Sequence, residues 1–176
     1  MPVYIRILRS GVTVKVIFIE QDRCLACRNC EQVCSFQETG GFKRESSNIW
    51  VHVDMAARTF FTITCQQCET AACMLTCPTE ALKRDPETHA VTVDETACIG
   101  CRMCVIACPF GCIHFENTQH LAAKCNLCNG DPKCVQNCMA GALHFGDIND
   151  LAALKRAKTD KTLVNATAFR RGEQHR

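Results

Sequence analysis

The spacing of the cysteines restricts the fold of this chain more than any other feature. All but one of its 17 cysteines fall into four groups of four, spaced x2-x2-x3, x2-x4-x3, x2-x2-x3 and x2-x5-x3 along the chain. Groups one to four are, in order, Cys24, Cys27, Cys30 and Cys34; Cys65, Cys68, Cys73 and Cys77; Cys98, Cys101, Cys104 and Cys108; and Cys125, Cys128, Cys134 and Cys138. A repeat of this kind indicates that local structure is organised around the cysteines.

So many cysteines in a short chain indicate either a disulfide framework or a metal protein. The many Cys-x2-Cys steps favour metal, and so does the low aromatic content of 6%, which leaves little material for a large apolar core. Residues 1–19 show no secretory pattern, and Arg6 and Arg9 are separated rather than paired as in a twin-arginine signal. We therefore expect thiols in a reducing, cytoplasmic environment.

Group three carries the most specific signal. Thiolate sulfur is the ligand of iron–sulfur clusters, with four thiolates for each 4Fe–4S cube. The run from Cys98 to Cys108, followed by Pro109, matches the bacterial ferredoxin pattern, in which the fourth cysteine binds the other cluster of a pair. The sixteen motif cysteines therefore predict four 4Fe–4S clusters held by interlocking groups.

Zinc is the alternative metal for the same thiolates, because each group could fill a four-cysteine zinc site. Zinc ribbons, however, place two cysteine pairs well apart, whereas the third and fourth cysteines here follow at once. The remaining cysteine, Cys112, falls in the slot that Ala81 and Ala142 occupy in the sister repeats, which predicts a buried packing role. Lys124 and Lys133 lie beside group four; a lysine there could raise a local reduction potential, but we expect both at the surface.

The sequence between the cysteine groups predicts short elements. We expect a short helical turn after the third cysteine of each group, and a turn over 85–89 that joins 82–83 to a strand. A helix is expected over 148–158, followed by a tail over 159–176 that is either loose or an arm for a partner. The predicted strands are 14–19, 49–53, 90–93, 113–115 and 143–145.

Charge and motif content exclude several classes of function. The formal charge of +2 counts cysteine as neutral, and four loaded clusters would bring the protein to roughly −6, so nucleic-acid binding gains no support. No apolar run is long enough for a membrane span, and no nucleotide-binding or hydrolase motif is present. We therefore expect a non-catalytic electron-transfer protein.

Taken together over roughly 14–145, the four spacings resemble the four-cluster electron-transfer subunits of the dimethyl sulfoxide reductase beta-subunit type. The resemblance implies an α+β fold of two nested bacterial-ferredoxin-like units, with 61–114 as the inner unit and 1–60 plus 115–147 as the outer one. Residues 148–176 would form a C-terminal helix and tail. The implied ligand sets are Cys24, Cys27, Cys30 and Cys138; Cys125, Cys128, Cys134 and Cys34; Cys65, Cys68, Cys73 and Cys108; and Cys98, Cys101, Cys104 and Cys77.

The resemblance also implies a catalytic partner that carries tungsten or molybdenum. Short members of the class serve carbon monoxide dehydrogenase, hydrogenases, formate dehydrogenase and tungsten aldehyde oxidoreductases, and the last is our best single prediction. A flavin subunit or a ferredoxin would be a further partner, and self-association is a secondary hypothesis. A freely diffusing polyferredoxin and a non-redox zinc scaffold remain as alternatives.

Overall fold

The computed structural model describes residues 14–116 and 120–173. Parts of the predicted outer unit, 1–13 and 117–119, and the end of the predicted tail, 174–176, lie outside the described residues. The eight strands are β1 (Lys15–Ile19), β2 (Ile49–Asp54), β3 (Thr59–Thr64), β4 (Leu82–Arg84), β5 (Val91–Val93), β6 (Ile113–Glu116), β7 (Leu121–Lys124) and β8 (Leu143–Asp147). The five α-helices are α1 (Asn29–Thr39), α2 (Ala72–Leu75), α3 (Met103–Ala107), α4 (Lys133–Gln136) and α5 (Ile148–Glu173). Short strands and short helices make an α+β fold, as predicted.

Within the described ranges, the strands form four antiparallel pairs. Three of them, β2–β3, β4–β5 and β6–β7, join neighbours in the sequence. The fourth pairs β1 with β8, and Ile17 lies opposite Phe145. These two strands lie at the two ends of residues 15–147, which contain all four cysteine groups and are called the repeat region below. This pairing brings the segment before group one against the segment after group four.

The helices pack in pairs that combine different cysteine groups. α1 of group one contacts α4 of group four, and α2 of group two contacts α3 of group three. The buried residues form two clusters, one containing Ile17, Ile49 and Leu127, the other containing Leu82 and Val91. Cysteines contribute to both clusters, so the apolar core and the thiol groups occupy the same interior.

The predicted turn over 85–89 is present, because Asp85 accepts hydrogen bonds from the backbone N–H of Glu87 and of Thr88. The predicted strands match β1, β2, β5, β6 and β8 to within one or two residues. The sequence patterns did not predict β3 and β7. Neither strand follows directly after the last cysteine of a group. In addition, β7 contains two alanines, which are weak strand formers, and its pairing with β6 holds it in place.

The helices differ from prediction in two ways. The four helices α1 to α4 each contain the third cysteine of their group instead of following it. In addition, α1 continues to Thr39, and the Gly40 N–H donates to the Phe36 carbonyl. The helix predicted over 148–158 is longer than expected, because α5 extends from Ile148 to Glu173. Of the two alternatives for 159–176, the loose tail is wrong over 159–173, and the arm for a partner stays a prediction. The interior of α5 has neither glycine nor proline before Gly172 and is rich in alanine, lysine and arginine, which favour helix.

Candidate metal centres

The structure brings cysteines of different groups together around two cavities. The first is lined by Cys65, Cys68 and Cys73 of group two and by Cys108 of group three. Cys112 also lines this cavity. In each such set three cysteines come from one loop and the fourth from another part of the chain, which is the arrangement of bacterial ferredoxins.

The second cavity lies between the two ends of the repeat region. It is lined by Cys125, Cys128 and Cys134 of group four and by Cys34 of group one. Buried apolar side chains, Ile17 and Leu127 among them, line it together with polar residues such as Asn48 and Thr64. Four thiols from the two ends of the chain's cysteine repeat therefore face one shared space.

Six of the eight remaining motif cysteines lie in the loops of groups one and three, and the other two, Cys77 and Cys138, follow α2 and α4. Cys24, Cys27 and Cys30 surround the start of α1, and Cys98, Cys101 and Cys104 surround the start of α3. Cys27 and Cys101 are exposed, whereas Cys30 and Cys104 are buried. The Asn29 side chain donates to the carbonyl of Asn137 at 2.7 Å, so the loop of group one is tied to the residue before Cys138.

Each cysteine loop contains a left-handed residue at the same place, immediately before its second cysteine. These residues are Ala26, Gln67, Gly100 and Leu127, with φ of 51°, 48°, 68° and 58°. Such conformations turn successive backbone N–H groups into a concave surface that receives anions and iron–sulfur clusters. A left-handed L-residue costs about 1–2 kcal/mol, so three non-glycine examples mark positions that the surrounding structure enforces.

The fourth cysteine of each group accepts a backbone hydrogen bond at sulfur. In groups two, three and four the donor is the N–H four residues later, from Ala81 to Cys77, from Cys112 to Cys108 and from Ala142 to Cys138, at 3.3–3.4 Å. In group one the continued helix removes that turn, and Asn48 donates to Cys34 at 3.3 Å instead. Hydrogen bonds to a thiolate stabilise its charge and raise the potential of a cluster that it holds.

Burial keeps many of the thiols neutral in the absence of metal. It raises the pKa of Cys30 and of Cys125 to about 12 and that of Cys104 to about 11, and neighbouring thiols add to the shift. Burial also raises the pKa of Cys134, next to Cys125, Cys34 and Cys128. Cys77 is the opposite case: burial works against it, but backbone N–H groups from Leu82 and Thr79 lower its pKa. Metal binding at the buried sites must therefore release protons.

The donor set fits a 4Fe–4S cube, which supplies one-electron transfer when bound. Among the described residues, no three His, Cys, Asp or Glu side chains converge as the ligands of one metal ion. In a cube, each thiolate binds a different iron atom, so the sulfurs stand farther apart than around a single ion. The fit rests on soft sulfur ligands, amide donors to sulfur and cavities lined by four thiols.

Two side chains that sequence reasoning missed or misplaced hold the cavity walls together. Gln67, only 2% exposed, donates to the Cys125 carbonyl and accepts from the Val91 N–H, both at 2.9 Å. Lys124 was predicted at the surface, but this was wrong, because it is 5% exposed and donates to the carbonyls of Cys125 and Val91. Lys133 is only partly exposed and pairs with Asp131 at 2.5 Å. No sequence signal distinguished the two lysines.

Cys112 is buried and its thiol donates to the Phe110 carbonyl at 3.5 Å. Burial raises its pKa to about 12, with Cys108, Cys65 and Cys125 nearby. The predicted packing position is consistent with this burial. The histidines at matching repeat positions pack on rings: His114 lies 5.6 Å from Trp50 between ring centroids, and His144 lies 6.4 Å from Phe18.

Left-handed loops, shared thiol cavities and amide-to-sulfur bonds define a ferredoxin-type protein that binds 4Fe–4S clusters. Residues 56–148 match the family described as the 4Fe-4S dicluster domain. This chain belongs to that family. No helix in the described ranges is long and apolar enough to cross a membrane.

Similar proteins agree with this assignment. The B subunit of anaerobic dimethyl sulfoxide reductase from Escherichia coli (strain K12) is 34% identical over 125 residues, which are 63% of this chain and 60% of that protein. The thiosulfate reductase electron transfer subunit PhsB of Salmonella typhi is 36% identical over 124 residues, 64% of this chain and 62% of that protein. The polyferredoxin-like subunit of an aliphatic sulfonate oxidoreductase from Pyrococcus furiosus is 39% identical over 115 residues, 65% of this chain and 66% of that protein. The resemblance to the beta-subunit class is confirmed.

The match therefore spans about three fifths of the first curated relatives. Among solved structures, one protein of the active site complex BamBC of benzoyl coenzyme A reductase, in complex with benzoyl-CoA, is 21% identical. The match covers 89% of this chain and 98% of that protein, with a TM-score of 0.47.

Proposed function

We propose that this chain is a non-catalytic electron-transfer subunit whose sixteen motif cysteines hold four 4Fe–4S clusters. The ligand sets are Cys24, Cys27, Cys30 and Cys138; Cys125, Cys128, Cys134 and Cys34; Cys65, Cys68, Cys73 and Cys108; and Cys98, Cys101, Cys104 and Cys77. The observation that carries the proposal is the pair of cavities lined by cysteines of two groups, with Cys108 completing group two and Cys34 completing group four.

The domain organisation follows from the same cross-pairing. Residues 61–114 would be the inner ferredoxin-like unit, and 1–60 plus 115–147 the outer unit nested around it. Packing of α2 on α3 supports the inner unit, and packing of α1 on α4 supports the outer one. The β1–β8 pair supports closure of the outer unit by the two ends of the repeat region.

The clusters would relay electrons between a catalytic oxidoreductase subunit and a further redox subunit or acceptor, in the cytoplasm. This role is supported by two relatives, one named as an electron transfer subunit of a reductase and one as a polyferredoxin-like subunit of an oxidoreductase. For the catalytic partner we propose a tungsten-dependent aldehyde oxidoreductase. The equivalent subunit of a hydrogenase, formate dehydrogenase or carbon monoxide dehydrogenase, and a free polyferredoxin, are the alternatives.

Anaerobic purification with metal analysis tests the cluster count. About sixteen iron atoms and sixteen sulfides per chain are expected for four cubes. A zinc-only protein, or an iron content near half that value, would overturn the proposal. Co-purification from the native host tests the subunit role: a chain that elutes alone from a size-exclusion column contradicts it, and the identity of a bound enzyme decides among the named partners.

Two nearby cysteines provide a matched test of the ligand sets. Cys108→Ala should lower the iron content and alter the electron paramagnetic resonance signal of one cluster, because Cys108 completes the set of group two. Cys112→Ala, four residues away in the same cavity, should leave iron content and signals unchanged. Equal iron loss in both variants would contradict the assignment.

A further inference from the structure

Lys124 is a buried cation in the wall of a thiol cavity. Its side chain is 5% exposed, and its Nζ donates to the carbonyl oxygens of Val91 and, at 2.9 Å, Cys125. Among the side chains that the structure describes, no carboxylate lies within ion-pair distance of it. Two neutral carbonyls satisfy donors but do not neutralise a charge, and an uncompensated buried charge is costly.

The charge of Lys124 acts on thiols of two ligand sets. The side chain lines the cavity of Cys65, Cys68, Cys73 and Cys108, and the backbone continues directly into Cys125 of the neighbouring set. Burial raises the pKa of Cys73, and the Lys124 charge opposes that rise. The same charge opposes the burial that raises the pKa of Cys125. Lys124 is therefore electrostatically close to sulfurs on both sides.

An anionic cluster is the partner that this cation lacks. Four thiolates around an oxidised cube of charge about +2 leave a net charge of about −2, and reduction adds one more negative charge. A nearby ammonium group stabilises the reduced state more than the oxidised one and therefore raises the reduction potential. The step itself is transfer of one electron from a neighbouring cluster, with no bond made or broken.

We propose that Lys124 is the buried counter-charge of the cluster held by Cys65, Cys68, Cys73 and Cys108. Its positive charge raises the reduction potential of this cluster. The neighbouring cluster, reached through Cys125, feels the same charge more weakly. The inference rests on the proposed four-cluster assignment. If the inference holds, an electron in the relay occupies this cluster in preference to its neighbours, because the charge of one side chain stabilises the reduced state.

A redox titration of the loaded protein, followed by electron paramagnetic resonance, tests the inference. Lys124→Gln keeps a hydrogen-bond donor but removes the charge, and Lys124→Met removes both the donor and the charge. In both variants we expect the reduction step of the cluster beside Lys124 to move to a more negative potential. The reduction step of the cluster that includes Cys125 should move in the same direction by a smaller amount. Lys124→Arg, which keeps the charge, should leave every step near its wild-type value.

Lys133→Gln is the matched control, because Lys133 also lies beside group four but is partly exposed and paired with Asp131. We expect little or no shift in this variant. Unchanged potentials in a fully loaded Lys124→Gln protein would overturn the inference while leaving the four-cluster assignment intact. Absence of cluster signals from the wild-type protein would instead overturn the proposed function.

The amount of cluster that each variant binds also tests the inference, even where a variant assembles its clusters poorly. Clusters that fail to form in Lys124→Gln and Lys124→Met but form fully in Lys124→Arg would support the counter-charge, because only the charge separates these proteins consistently. Failure in all three variants would overturn it, because a site that needs the shape of lysine itself does not depend on its charge.

Discussion

At the residue scale, the left-handed position before the second cysteine is filled by glycine in only one of the four loops. Ala26, Gln67 and Leu127 adopt the same positive φ as Gly100. The difference lies in the space around the position, because a Cβ on Gly100 would lie 2.4 Å from the His120 carbonyl oxygen. Glycine is therefore required there by the approach of another segment, which adds to the cost of the left-handed turn.

Gly100→Ala tests this explanation against Gly111→Ala. Gly111 has φ of 63° and nothing within 4 Å of an added Cβ, so its substitution should cost only about 1–2 kcal/mol for the backbone conformation. Gly100→Ala should cost clearly more, because the backbone at His120 must move. The measurement is the temperature at which each loaded protein loses its visible cluster absorption. An equal decrease of this temperature in the two variants would contradict the steric argument.

At the element scale, α5 is attached to the rest of the chain by its first turns. Leu151 is buried against Gly146 of β8, and Lys158 pairs with Glu20 at 3.0 Å and with Asp22 at 2.6 Å, just after β1. Glu20 is itself buried and also lies 3.6 Å from His144. The helix thus contacts both strands of the β1–β8 pair and helps to hold the two ends of the repeat region together.

Lys158→Met should loosen this attachment, because it removes both ion pairs. We expect faster hydrogen exchange over 150–158 than in the wild-type protein, with Lys158→Arg close to wild type. The pair with Asp22 is exposed, so the difference between Lys158→Met and wild type should shrink at high salt. Exchange rates that are identical in all three proteins would show that Leu151 alone holds the helix.

The pH dependence of the same attachment has a defined sign. Hydrogen bonding to Asp22 and Glu20 raises the pKa of Lys158, so its contribution is present below the ordinary lysine pKa and is lost as pH rises through the raised value. The Lys158 hydrogen bond lowers the pKa of Asp22, so that contribution is lost only in acid. The protection factors over 150–158, which correct for the faster intrinsic exchange of amides in base, should therefore fall in strong alkali in the wild type and change less in Lys158→Met.

At the scale of the whole molecule, the thiols are part of the core. Cys30, Cys34, Cys65, Cys125 and Cys134 belong to the same buried cluster as Ile17 and Leu127. The strands are short pairs without a larger sheet in the described ranges, and such pairs are barely stable alone. Metal ligation therefore provides much of the cohesion that a larger apolar core would otherwise supply.

Removal of the clusters should consequently unfold most of the protein. Anaerobic treatment with an iron chelator is expected to abolish the near-ultraviolet circular dichroism and the slow exchange of the β1–β8 pair. Return of iron and sulfide under reducing conditions should restore both signals. A chelated protein that retains native dichroism and exchange would show that the apolar clusters suffice without metal.

The cysteine groups by themselves determined the class of protein, because thiolate number and spacing decide which metal centre a loop can surround. The sequence before, between and after these groups also located five of the eight strands that the structure describes. Contacts between distant segments, however, leave no local signal. The burial of Lys124, the bridge made by Gln67 and the need for glycine at 100 each depend on what packs alongside, whereas the continuation of α5 follows from its helix-favouring composition. Only the tertiary structure decided that one lysine beside group four is buried against a thiol cavity while Lys133 remains partly exposed, because burial is set by neighbours far along the chain.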